Sequence, residues 1–245
     1  MSKKKLLSLA LVVIMIAILS FGTLAWFSDS DKVKNDFMIA GSDDDTPDEI
    51  FSVGVWEDKN GDGQPDDEVD GDDKGLIYKD ILPGDVLKKE VKIENTGYYD
   101  QYIRVTVTVS NAEAWKTVLG KTGNQIPELW EIVNGLDMAD TWYSVDAPKV
   151  ADGNIIYTLY YRNILLGDIV NANDNVSFNA DVVPLFTAVK IPASMTVTQA
   201  AAFENNFNIT VKAEAVQTEN LGIDTSSGYA ADKAFAKVEA DQPIG

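Results

Sequence analysis

Two stretches in which every second residue is apolar constrain this chain more than any other feature. From Tyr102 to Val109, Ile103, Val105, Val107 and Val109 alternate with Arg104, Thr106 and Thr108. From Phe207 onward, Phe207, Ile209, Val211, Ala213 and Ala215 alternate with Asn208, Thr210, Lys212 and Glu214. Successive side chains on a strand point to opposite faces, so each stretch reads as a strand with one face on a core. Shorter runs of the same kind occur at Phe51–Trp56, Val86–Glu94, Thr141–Val145, Ile155–Arg162 and Val176–Phe186, separated by turn residues, as in antiparallel structure. Residues 111–135 break the pattern and predict two short helices or an elaborated loop, the second ending at Asn134-Gly135. Thr198–Asn205 reads as a short helix behind a Thr cap. The pattern as a whole predicts an all-β fold, a jelly-roll-type β-sandwich over residues 50–220 with short helical insertions in the connections. An immunoglobulin-like sandwich has the same pattern and a different strand order. Residues 221–245 are rich in Gly, Ser and Ala and are expected to form a flexible tail.

The start of the chain sets its compartment. Lys3-Lys4-Lys5, an apolar run from Leu6 to Phe21 and small residues at Thr23 and Ala25 predict a secretory signal peptide over residues 1–25, cut after Ala25. A membrane anchor is the competing reading, since Leu6–Phe27 approaches the roughly 20 apolar residues that span a bilayer. Ser8, Ser20, Gly22 and Thr23 dilute the run, however, and an acidic segment follows it. Cleavage removes three lysines and takes the formal charge from −19 to −22. The expected product is secreted, extracellular or at the cell surface, and has no stable membrane anchor.

Such a charge disfavours nucleic acid, whose phosphates are bound by Lys and Arg, and favours cations. The chain has no Cys and no His. The first absence rules out a disulfide scaffold. The second removes the commonest general base, the usual zinc ligand and every Ser-His or Cys-His nucleophile. No catalytic residue is assigned, and the chain is expected not to be an enzyme.

The sharpest local chemistry lies in the run from Asp58 to Asp70. Asp58, Asn60 and Asp62 at alternate positions, then Gly63, Gln64 and Asp66, resemble the first part of a calcium loop, in which alternating oxygens converge on one cation and a glycine permits the turn. Asp58, Asn60 and Asp62 are the expected side-chain ligands, Gln64 contributes its carbonyl, and Asp66 binds directly or through water. The twelfth position, usually Glu, is Val69, so Glu68 or Asp70 would substitute. The competing reading is a solvated acidic turn. Asp43-Asp44-Asp45 with Asp48 and Glu49 lacks this spacing and reads as a linker.

Gly22-Thr23-Leu24-Ala25-Trp26-Phe27-Ser28-Asp29 and Phe37-Met38-Ile39-Ala40-Gly41 resemble the leader and mature start of the TasA/camelysin family, whose leaders are cut by a SipW-type signal peptidase. Leu82-Pro83-Gly84-Asp85, Glu94-Asn95-Thr96-Gly97 and Ile209–Gln217 are similar to later elements of that family, while residues 111–200 match only in general character. The resemblance implies a jelly-roll subunit of extracellular biofilm-matrix fibres. Its partners would be other copies of itself in a head-to-tail filament and, in addition, an accessory matrix protein. Residues 26–49 would form a donor strand and acidic linker, with Trp26, Phe27, Phe37, Met38 and Ile39 as apolar anchors completing a neighbour's sheet. The competing reading pairs this segment within its own domain. Camelysin implies metalloprotease activity, but the chain lacks H-E-x-x-H, and an all-carboxylate site suits Ca²⁺ better than Zn²⁺. An alternative function is a monomeric calcium-dependent adhesive or carbohydrate-binding module that stacks sugars on Tyr98, Tyr99, Tyr160 and Tyr161.

Overall fold

The computed structural model describes residues 28–32, 53–58, 69–70, 73–74, 81–97, 99–167, 182–203, 207–219, 221–224 and 229–241. Its strands are β1 (Ser28–Lys32), β2 (Val53–Asp58), β3 (Val69–Asp70), β4 (Asp73–Lys74), β5 (Val86–Asn95), β6 (Gln101–Val109), β7 (Val133–Asn134), β8 (Trp142–Tyr143), β9 (Lys149–Ala151), β10 (Asn154–Tyr161), β11 (Val182–Lys190) and β12 (Ile209–Gln217). The helices are α1 (Ala112–Val118), α2 (Leu129–Ile132), α3 (Val197–Ala201) and α4 (Ala231–Asp241).

The strands form two main antiparallel sheets. One has the order β1-β12-β6-β10-β8, with β9 also on β10, and the other β2-β5-β11-β7. The alternation that marks β6 in the sequence builds the centre of the first sheet. Val107 pairs with Val211 on one side and Tyr157 on the other, and Val105 with Ala213 and Leu159. All six are buried, which gives the inward ladder of apolar pairs that stabilises a sheet. In the second sheet β5 supplies Val91 and Ile93 to the same core. Pro184 cannot donate to the ladder, and β11 changes register between Pro184 and Phe186 and again before Ala188, as bulges allow.

Helices close one end of the core. Trp115 of α1 packs edge-on against Phe203 and Phe207, each with its ring centroid at 5.2 Å. The cap of α3 is Thr196 rather than Thr198: its hydroxyl accepts from the Gln199 backbone N–H, while the Gln199 side-chain oxygen accepts from the Thr196 N–H. The reciprocal pair satisfies two donors at the helix start.

The C-terminal region departs from the expected flexible tail. Ala231–Asp241 is helical, and Ala231, Ala234, Phe235 and Val238 pack on Tyr102, Tyr143 and Val216 as a second, smaller core. These four residues fall at i, i+3, i+4 and i+7, a helical stripe that the Ala-rich composition concealed. Val216 is accordingly buried on the sheet face opposite the main core. Among the described residues no helix is long and apolar enough to cross a membrane; residues 1–27 lie outside them.

Candidate functional site

The N-terminal strand is the element on which the assembly expectation turns. β1 pairs antiparallel with β12 in the register Ser28↔Val216, Asp29↔Ala215, Ser30↔Glu214, Asp31↔Ala213 and Lys32↔Lys212. It is the edge of its sheet, and β12 lies between it and β6. Its sequence, Ser-Asp-Ser-Asp-Lys, contains no apolar residue, so the pairing rests on main-chain hydrogen bonds. The expected anchors Trp26, Phe27, Phe37, Met38 and Ile39, and the cut site Ala25, lie outside the described residues.

On β12 itself, Glu214 is held by two cations. Arg104 Nε donates to Glu214 Oε2 at 3.0 Å and Lys212 Nζ to Glu214 Oε1 at 2.7 Å. Burial pushes the Glu214 carboxyl up, but the bonds from Lys212 and Arg104 outweigh it and leave the group below its ordinary value. Arg104 also donates to Glu239 of α4 and stacks 4.4 Å from the Phe235 ring centre. One side chain therefore ties the edge-proximal strand to the C-terminal helix. A second tie is Tyr143 Oη, which donates to Asp232 Oδ1 at 2.7 Å and accepts from the Asp232 N–H at 3.0 Å.

The other end of interest is the exit of β2, where the calcium-like run begins. Val53 and Val55 face the core, and Glu57, two further on, follows them inward opposite Val91. Glu57 is 2% exposed, and Lys89 of β5 lies 3.4 Å away with 4% side-chain exposure. Neither carboxylate oxygen accepts a hydrogen bond, so the contact is purely ionic. Burial drives the Glu57 carboxyl well above its ordinary value, and the Lys89 charge only partly offsets this. Asp58 ends β2 opposite Glu90 and is itself fully buried. Asp70 lies in β3, which pairs with β4 through Val69↔Lys74 and Asp70↔Asp73. Asn60, Asp62, Gln64, Asp66 and Glu68 lie outside the described residues. Among the described residues no group of three or more carboxylates converges as a metal cage.

The tyrosines named as sugar platforms divide. Tyr160 packs on Tyr143 and Phe235 with centroids at 5.5 and 6.1 Å, and Tyr161 packs on Trp142 at 5.6 Å. Both are cross-strand or helix–sheet contacts. Tyr99 is exposed, and Tyr98 lies outside the described residues. Two exposed aromatics that periodicity did not single out are Tyr229 and Trp130 of α2, the latter 57% exposed while Trp56, Trp115 and Trp142 are buried. For Trp130 the available signal was its position between Leu129 and Ile132, both buried, which turns it to the outer side of a short helix. Comparison with family models, with curated proteins and with solved structures finds no match to the chain.

Proposed function

We propose that this protein is a secreted structural subunit of jelly-roll type that assembles head to tail into extracellular matrix fibres. Each copy places its N-terminal segment on the β12 edge of the next. The observation that supports this reading is that Ser28–Lys32 forms an edge strand on β12, within its own chain as the competing reading has it, on a site that a second copy's segment could equally fill. The pairing uses main-chain bonds, each worth about 0.5–1.5 kcal/mol net, which the β12 edge of a second copy offers equally, while register would be set by the apolar anchors. The 20 residues from 33 to 52 separate β1 from β2. At roughly 3.3–3.6 Å per residue they reach up to about 70 Å, enough to pass a strand to a neighbour. Donor and acceptor are different surfaces, so the contact is heterologous and propagates as a filament. In the precursor the same strand closes its own sheet and shields β12, which restrains premature assembly. The acidic run beginning at Asp58 serves as a calcium loop that relieves the repulsion of its carboxylates.

The test is negative-stain electron microscopy of residues 26–245 beside a form beginning at Asp43, each with calcium and with chelator. Filaments from the longer form alone support the proposal, and their loss in chelator assigns calcium to assembly. Monodisperse particles throughout would overturn unaided self-assembly.

A further inference from the structure

A shallow cleft of about 180 Å³ opens beside α2, and no residue of β1 or β2 lines it. Leu136 and Met138, both half-buried, form part of its apolar wall, and Trp130 stands exposed at it. Its polar lining residues are Glu128, Ser144 and Asp146, all exposed, the half-buried Thr158, and the buried Tyr157, whose hydroxyl donates to the Pro127 carbonyl at 2.7 Å. Neither Lys nor Arg lines it. Of the nearby cations, Lys121 bonds Glu131 at 2.7 Å and Lys190 donates to the Trp130 carbonyl, while Lys149 stands exposed just after Pro148 of the lining, one positive charge beside two carboxylates. The cleft therefore combines an exposed indole, a small apolar wall and two carboxylates at a net negative opening.

We propose that this cleft binds a hexosamine unit with a free ammonium group, such as occurs in a deacetylated aminosugar polymer. The volume is well below the roughly 300–1,000 Å³ of a drug-sized pocket and suits one ring. The apolar face of a sugar ring packs on an indole, as it does on other flat aromatic surfaces. Its hydroxyls need acceptors, which Glu128 and Asp146 supply in excess. The ammonium completes the match, because the lining offers it two carboxylates and an indole face, to which cations are attracted. A neutral sugar leaves the charge unanswered, and an anionic one is repelled. The site does not depend on filament formation, so the two proposals fail separately.

The test is calorimetric titration of the full chain with a glucosamine tetramer, its fully N-acetylated counterpart, a neutral glucose tetramer and tetralysine. The glucosamine tetramer is expected to bind at least about tenfold more tightly than the other three, a factor equal to about 1.4 kcal/mol. Trp130→Ala is expected to weaken it about tenfold and Asp146→Asn several-fold. Because Trp130 is exposed, the fold should survive its removal, which circular dichroism checks. Asp146→Asn probes the same cleft without altering the apolar wall. Equal binding of the N-acetylated or neutral tetramer, tighter binding of tetralysine, indifference to both substitutions, or no binding at millimolar glucosamine tetramer would each overturn the proposal.

Discussion

Lys89 Nζ lies 3.4 Å from Glu57 Oε1, with 4% and 2% of the two side chains left in contact with solvent. The pair sits in line with Val55 and Val91 on the inner faces of β2 and β5, where apolar residues would be expected. Taking two charges out of water costs more than a contact without hydrogen bonds returns. Removing either partner alone takes the opposite charge from the other while it stays buried: Glu57→Ala or Lys89→Ala should cost about 3–5 kcal/mol. The double replacement Glu57→Leu, Lys89→Met should be neutral or stabilising by about 1–4 kcal/mol. Urea unfolding of the four proteins measures this cycle. A double variant as unstable as the sum of the singles would show that the pair contributes more than its desolvation removes.

Glu214 and Glu57 predict opposite responses to pH. Glu214 sits below its ordinary value of 4.5 in the fold. Its contribution is therefore present above the unfolded value and lost as pH falls through the folded one. Glu57 sits above its ordinary value of 4.5, so its contribution is complete below the unfolded value and lost as pH rises through the folded one. Thermal melts of the wild type and of Glu214→Gln across the acid range should converge as pH falls. For Glu57→Gln the profile should lose the decline with rising pH that the wild type shows above the ordinary carboxylate range. Parallel profiles for all three would contradict both assignments.

The C-terminal helix is held by a core separate from the main one, so it should detach without global unfolding. Phe235 is 4% exposed and lies between Arg104 and Tyr160. Phe235→Ala removes a ring whose loss costs about 3–5 kcal/mol when it is core-bound. Fast hydrogen exchange is expected across 231–241 while β6 and β10 keep their protection. Loss of protection throughout would make α4 part of one cooperative unit.

An edge strand that donates only backbone bonds is sensitive to proline. Alternate N–H groups along β1 face β12, so replacing both Ser30 and Asp31 with Pro removes a ladder donor whichever of the two supplies it. Monomer stability should fall by only about 1 kcal/mol, and filaments of residues 26–245 should be absent by electron microscopy. Filaments of normal abundance would move the polymer contact elsewhere.

Gly135 has a φ of +78°, and a Cβ there would meet Thr187 Oγ1 at 2.5 Å. Gly135→Ala thus combines left-handed strain with a clash where β7 meets β11, and about 2 kcal/mol of destabilisation is expected. Adding Thr187→Ala should recover the part due to the clash and leave the backbone part, which denaturant midpoints resolve.

What the sequence carried on its own were the local elements. Period-two alternation in β5, β6, β10 and β12 reports one buried face, and that information is written in neighbouring residues. The short helices around Trp115 and Trp130 were legible for the same reason, but the second stops at Ile132 rather than at Asn134-Gly135, because Val133–Asn134 pairs with β11 as β7. The tertiary structure decided what adjacency along the chain does not encode. It set β1 beside β12, turned Glu57 inward against Lys89 from another strand, and moved Tyr160 and Tyr161 from candidate platforms into packing contacts. It also gave the Ala-rich tail a partner: α4 has a weak apolar stripe, and the outer face of the β12-β6-β10 sheet supplies the rings that make it worth burying. The physical reason is that strand propensity is local, whereas burial, ion pairing and the exposure of Trp130 depend on residues tens to more than a hundred positions away, brought together only when the sheets close.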